Sequence, residues 1–134
     1  MINKLFKLNK IFKITPFTTM CFLCILGIAQ SGNIEALREC IKNGSNIESK
    51  NKHGNTPLHI ASSYGHVELV HELIMAGANL EARNNSEETP LHLAYFTGKV
   101  KVVNELLNHG ASVYSKDVYG VLPHEMESFD VFDV

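Results

Sequence analysis

Apolar positions in residues 51–116 fall into two blocks of one design. In the first, Leu58 and Ala61 mark the buried side of a short helix. Val67, Val70, Leu73 and Ile74 then recur at i, i+3, i+6 and i+7, the stripe of a longer helix. In the second, Leu91 and Ala94 are followed by Val100, Val103, Leu106 and Leu107 at the same intervals. Polar, turn-forming residues separate these stripes. Asn51-Lys52-His53-Gly54-Asn55 precedes the first short helix, where Thr56 can cap and Pro57 can hold the first helical position, which needs no N–H. Gly65 and Gly98 end the short helices, and Gly77 and Gly110 end the long ones. Each block predicts turn, short helix, longer helix, turn.

The blocks are copies displaced by 33 residues. Thr56-Pro57-Leu58-His59-Ile60-Ala61 recurs as Thr89-Pro90-Leu91-His92-Leu93-Ala94, and Gly32 and Gly44 extend the glycine register backwards. A fixed period of this kind means stacked supersecondary units, none of which buries its apolar face alone. One departure is visible in the turns. Glu87 stands where Gly54 stood, so the second turn is expected to be remodelled or mildly strained, because a side chain disfavours positive φ. Backwards, residues 32–44 fit a second helix. Forwards, Asp117-Val118-Tyr119-Gly120 repeats the turn, but the tetrad decays to Leu122-Pro123-His124-Glu125.

The period, the two Thr-Pro-Leu-His tetrads and the Gly-Ala pairs at 77–78 and 110–111 resemble ankyrin repeats. The resemblance implies an all-α solenoid of helix-turn-helix units with projecting β-turn fingers. It also implies that partners bind the finger tips and the short inner helices. The expected organisation is a basic tail at 1–15, a degenerate first repeat at 16–50, repeats at 51–83 and 84–116, and a partial repeat at 117–134. Roughly three units are the minimum for an independent solenoid, so the array is expected to be marginally stable.

Residues 1–13 carry Lys4, Lys7, Lys10 and Lys13, and residues 14–29 are apolar apart from three threonines. Two readings compete for this segment. One is a secretory signal, with a cut ahead of Gln30 after Gly27 and Ala29. The other is the inner helix of repeat one, with Ile25, Ile28 and Ala29 falling 33 residues before Leu58, Ala61 and Ser62. Cutting after Ala29 would expose the apolar stripe of the helix at 34–43, and burying each such side chain is worth about 1.5–3 kcal/mol. The repeat reading is therefore preferred for residues 22–31. A membrane span is disfavoured by Pro16 and the threonines, since roughly 20 predominantly apolar residues are needed.

Charge narrows the classes of partner. The chain has a formal charge of −2, but after residue 30 it holds all 14 acidic residues and 8 of the 12 basic ones. An acidic body lacks the clustered Lys and Arg that displace phosphate counterions, so nucleic acid is not an expected partner. The three cysteines do not resemble a disulfide framework. Cys21 and Cys24 sit in an apolar run, and Cys40 falls among Ile34, Leu37 and Ile41, where a buried apolar role is expected.

Candidate chemistry is sparse. His59 and His92 belong to the tetrads and are expected to hydrogen-bond within the turn and helix start, tying neighbouring repeats. His53, His66, His71, His109 and His124 show no zinc-ligand spacing along the chain. No catalytic triad, phosphate-cradling loop, metal site or cofactor site is predicted. The candidate partner surface is Lys52, His53, Asn55, Asn85, Ser86, Glu88 and Tyr119 on the fingers, with Val118 and Val121 beside them. Ser63, Tyr64, Phe96 and Thr97 continue it on the inner helices. Tyr64, Phe96 and Tyr119 are the preferred anchors, because aromatic residues dominate interface energetics.

The leading expectation is a non-catalytic, monomeric module that binds another protein. A second reading is an exported bacterial effector or surface-associated protein with an N-terminal signal, and a third is a decayed fragment of a longer array. Localisation divides with them, cytoplasmic in one case and exported in another.

Overall fold

The computed structural model describes residues 25–126. The lysine-rich tail, the apolar run up to residue 24 with Cys21 and Cys24, and the end from residue 127 lie outside the described residues. Residues 25–31 are helical (α1), followed by α2 at Ile34–Lys42, α3 at Pro57–Tyr64 and α4 at Val67–Met75. Then come α5 at Pro90–Phe96, α6 at Val100–Asn108 and a 3₁₀ turn at Pro123–Glu125. No strand occurs among the described residues. None of their helices is long and apolar enough to cross a membrane.

Helices α1, α3 and α5 form an inner row and α2, α4 and α6 an outer one. Inner helix α3 packs on α5 and on its own outer partner α4, while α2 packs on α4 and α4 on α6. Ile25, Ile28 and Ala29 are buried in the same core as Leu58, Ala61, Leu91 and Ala94. The first repeat therefore supplies an inner helix despite having no Thr-Pro tetrad.

The outer stripe needs correcting. The buried residues are Ala36, Leu37 and Cys40, then Leu69, Val70 and Leu73, then Val102, Val103 and Leu106. That is i, i+1 and i+4 in all three helices, at the 33-residue period. Val100, which the spacing placed on the apolar stripe, is 68% exposed. As the first residue of α6 it stands before the turn that meets the inner row, and Val102 takes the buried place instead. Cys40 occupies the position of Leu73 and Leu106 and is fully buried. It is also disulfide-bonded, which overturns the purely apolar reading of the cysteines. An odd total leaves room for one pair, and a sulfur filling a core position serves packing in either state.

Each inner helix starts on a buried cap. Thr56 Oγ1 accepts from the His59 backbone N–H, and the His59 ring reaches back to the Thr56 N–H at 3.1 Å. Thr89 and His92 repeat this arrangement at 3.0 Å. At the third unit Leu122 has no side-chain acceptor to offer. Glu125 replaces the histidine, and its carboxylate takes the Leu122 N–H at 2.8 Å. Half of the reciprocal cap survives, and a single 3₁₀ turn forms in place of a helix.

Candidate protein-binding surface

The fingers are built by one polar device repeated three times. Asn51 Oδ1 accepts the N–H groups of His53 and Asn55, Asn84 Oδ1 those of Ser86 and Glu88, and Asp117 Oδ1 those of Tyr119 and Val121. Each turn closes with a backbone pair, as in Asn51 N to Asn55 O at 3.1 Å and Gly54 N to Asn51 O at 2.9 Å. Such side-chain-to-backbone turns are why Asn and Asp serve at these places. The third finger is complete although its tetrad has decayed.

Adjacent fingers join edge to edge. Asn85 N donates to His53 O at 2.9 Å and Val118 N to Ser86 O at 3.0 Å. Side chains reinforce the register, with Asn84 Nδ2 donating to Asn55 Oδ1 and Asn85 Nδ2 to Lys52 O, each at 2.9 Å. Arg83 crosses to the Lys116 carbonyl at 2.6 Å.

The tetrad histidines connect the inner row to the fingers. His59 Nε2 donates to Glu88 O at 2.9 Å, and His92 Nε2 to Val121 O at 3.0 Å. A carbonyl can only accept, so Nε2 carries the proton. Nδ1, facing the N–H at the helix start, must be the acceptor. Both rings are thus held in one neutral tautomer. Burial pushes His59 down to about 4, against the opposing pull of its bond to the Glu88 carbonyl.

Glu87 keeps the turn and accepts the strain, with φ at 59° where Gly54 has 75°. Left-handed backbone disfavours a Cβ by roughly 1–2 kcal/mol. Glu87→Gly is accordingly expected to stabilise the protein by about 1 kcal/mol, read as a higher urea midpoint at unchanged slope. An unchanged or lower midpoint would mean that this turn carries no strain. The reverse change is barred at the first finger, because a Cβ on Gly54 would stand 2.5 Å from Asn85 Oδ1.

The candidate contact residues divide in two. Asn55, Asn85 and Glu88 are committed to holding fingers, while Ser63 Oγ and Thr97 Oγ1 donate to the carbonyls of Ile60 and Leu93. Lys52, His53 and Ser86 present exposed side chains on the tips. Tyr64 and Phe96 are 51% and 50% exposed in the last turns of α3 and α5, and Tyr119 is 85% exposed on the third finger. Tyr114, at 82%, and Val118, at 57%, add apolar surface near that finger; Tyr114 escaped the sequence reading because it falls between units.

On the opposite, outer face, side chains meet that spacing within one segment does not bring together. His71 Nδ1 lies 2.7 Å from Glu105 Oε1, and His109 Nε2 lies 3.1 Å from the same oxygen. The His71 bond first, and the His109 bond after it, hold the Glu105 carboxyl below the usual carboxylate range. The available signal was the sum of two periods. Glu105 and His109 are one helical turn apart, and His71 precedes Glu105 by one repeat plus one residue.

A family model for ankyrin repeats, in three copies, matches residues 25–117. No curated protein matches the sequence. The family match covers more than half of the chain and runs from the first buried residue of α1 to the turn-forming Asp117, the stretch over which caps, fingers and core repeat. This chain belongs to the ankyrin repeat family.

Proposed function

We propose that the protein is a non-catalytic binding module whose partner is another protein, held along the finger tips and the inner helices. Ankyrin repeats in general are protein-interaction modules. The observation that carries the reading is the exposure of Tyr64, Phe96 and Tyr119 on the row that also bears the fingers. Large rings half or more in water contribute little to this fold, yet they are the side chains that anchor interfaces. The scaffold beneath them is held by the histidine and asparagine bonds, so the surface is preorganised and little ordering is needed on binding.

Affinity capture from the native host tests this with wild-type protein and with Tyr64→Ala, Phe96→Ala and Tyr119→Ala combined. Replacing anchors that each contribute about 2 kcal/mol or more removes the captured protein from the eluate. Circular dichroism of the variant is expected to match wild type, because none of the three side chains is in the core. Equal recovery of every partner by a folded variant would refute the assignment of this face.

A further inference from the structure

We infer that His71, Glu105 and His109 form a binding site for a divalent transition-metal ion of the zinc class, clamping outer helices α4 and α6 together. One ligand atom from each of the three residues lies within 4.8 Å of the other two. The donor set is two imidazole nitrogens and a carboxylate oxygen, which zinc accepts in three-ligand sites that keep a fourth position for water. The two histidine nitrogens converge on a single carboxylate oxygen, at 2.7 and 3.1 Å. In a tetrahedral site with bonds of about 2.05 Å, neighbouring ligand atoms stand roughly 3.3 Å apart. To reach that spacing the two nitrogen–oxygen distances open by about 0.6 and 0.2 Å, and the two nitrogens, which lie within 4.8 Å of each other, close through rotation of the exposed side chains. On binding an ion, each imidazole would present to it the nitrogen that now faces Glu105 and carry its proton on the other ring nitrogen.

The fold supplies the placement. Glu105 and His109 project from the same side of α6, being four residues apart, and the packing of α4 on α6 delivers His71 to them. The two imidazole rings stand edge to face with centroids 5.7 Å apart, so both ring edges can turn towards one point. Charge agrees with a cation. Glu68 and Glu72 line the same cavity as His71 and Glu105, and the one cation there, Arg38, is paired with Glu72 at 2.9 Å. The site is open to solvent, with the His71 side chain about half exposed, so an ion can enter without any opening of the fold. Hard cations such as Mg2+ and Ca2+ demand oxygen ligands and are not expected to bind.

The metal spans two consecutive repeats, so its binding free energy adds to the interface between them. Full-length, tag-free protein freed of metal by chelation is titrated with Zn2+ by calorimetry and with Co2+ by visible absorption. The expected result is one ion per chain, the intense visible bands of four-coordinate Co2+, and a melting temperature raised by about 10 °C at Zn2+ concentrations near 100 times Kd. His71→Ala, Glu105→Gln and His109→Ala each weaken binding by more than about tenfold, since loss of even a supporting group around a metal costs about 10–100-fold. His124→Ala, in the terminal 3₁₀ turn, leaves it unchanged. All four positions are at the surface, and dichroism establishes that the variants fold. Zn2+ affinity equal in wild type and His71→Ala, or equal affinity for Mg2+, would overturn the site.

Discussion

Leu91→Ala is expected to destabilise the protein by about 2–5 kcal/mol, the range for emptying a large aliphatic site in a closed core. Leu91 is 1% exposed in α5, the inner helix that packs against α3, α6 and the terminal 3₁₀ turn. A cavity there loosens contacts on both sides at once. In a stack whose units contact only their neighbours, a failing central unit also uncouples the two ends. Stabilities run near 0.05–0.15 kcal/mol per residue, so the roughly 100 described residues correspond to about 5–15 kcal/mol. The substitution removes a large share of that. Val100→Ala is the matched control: it deletes apolar groups from a residue in the neighbouring helix that is 68% exposed, and it should move stability by about 0.5 kcal/mol or less. Urea melts of the two variants separate the observed packing from the simple apolar stripe, which treats both residues as core. Equal losses would mean that the outer helix is turned differently.

What the sequence disclosed, and what it hid, follows from how each signal arises. The 33-residue period and the Thr-Pro-Leu-His tetrads are local, repeated and chemically specific, so the caps at Thr56 and Thr89 and the inner helices were legible in full. The outer helices were legible as helices, but the buried side was displaced by part of a turn. Valine at 67 and 100 looks apolar without being central, and only packing against two neighbours distinguishes it from Leu69 and Val102. The third finger was legible from its turn residues at 117–120, although the tetrad after it has decayed. Its actual determinant is Asp117, one period after Asn84, which closes the turn without the tetrad. Asn55, Asn85 and Glu88 lie on the fingers, where Glu88 accepts from Asn84 of its own finger. The bonds by which Asn55 and Asn85 join one finger to the next depend on a neighbour 29 to 33 residues away, which no single segment contains. The His71, Glu105 and His109 trio was hidden for the same reason. Long-range register, rather than residue type, is what the chain concealed.

Acidification below neutrality is expected to weaken the fold through His59. Its ring is buried, and desolvation lowers its pKa from 6.5 to about 4. A protonated ring would also present a second N–H to the Thr56 N–H, which now donates to Nδ1 at 3.1 Å. Above pH 6.5 the ring is neutral folded or unfolded, and this group's full contribution is present. As pH falls, the unfolded chain takes up the proton first, so stability drops between 6.5 and 4 and then levels off. From these two values the loss is about 2 kcal/mol at pH 5 and about 3 kcal/mol at pH 4. Urea melts of wild type and His59→Gln at pH 7.5 and pH 5 isolate the effect, since every other titrating group is common to both. The glutamine variant starts less stable but should lose about 2 kcal/mol less on acidification. Should it fail to fold, the ring protons of His59 in the wild-type NMR spectrum report the same quantity. Their shifts are expected to stay at the neutral position down to pH 5. A His59 midpoint near 6.5 would mean that the ring is not locked between the helix cap and the next finger, and the principal tie between repeats would have to lie elsewhere.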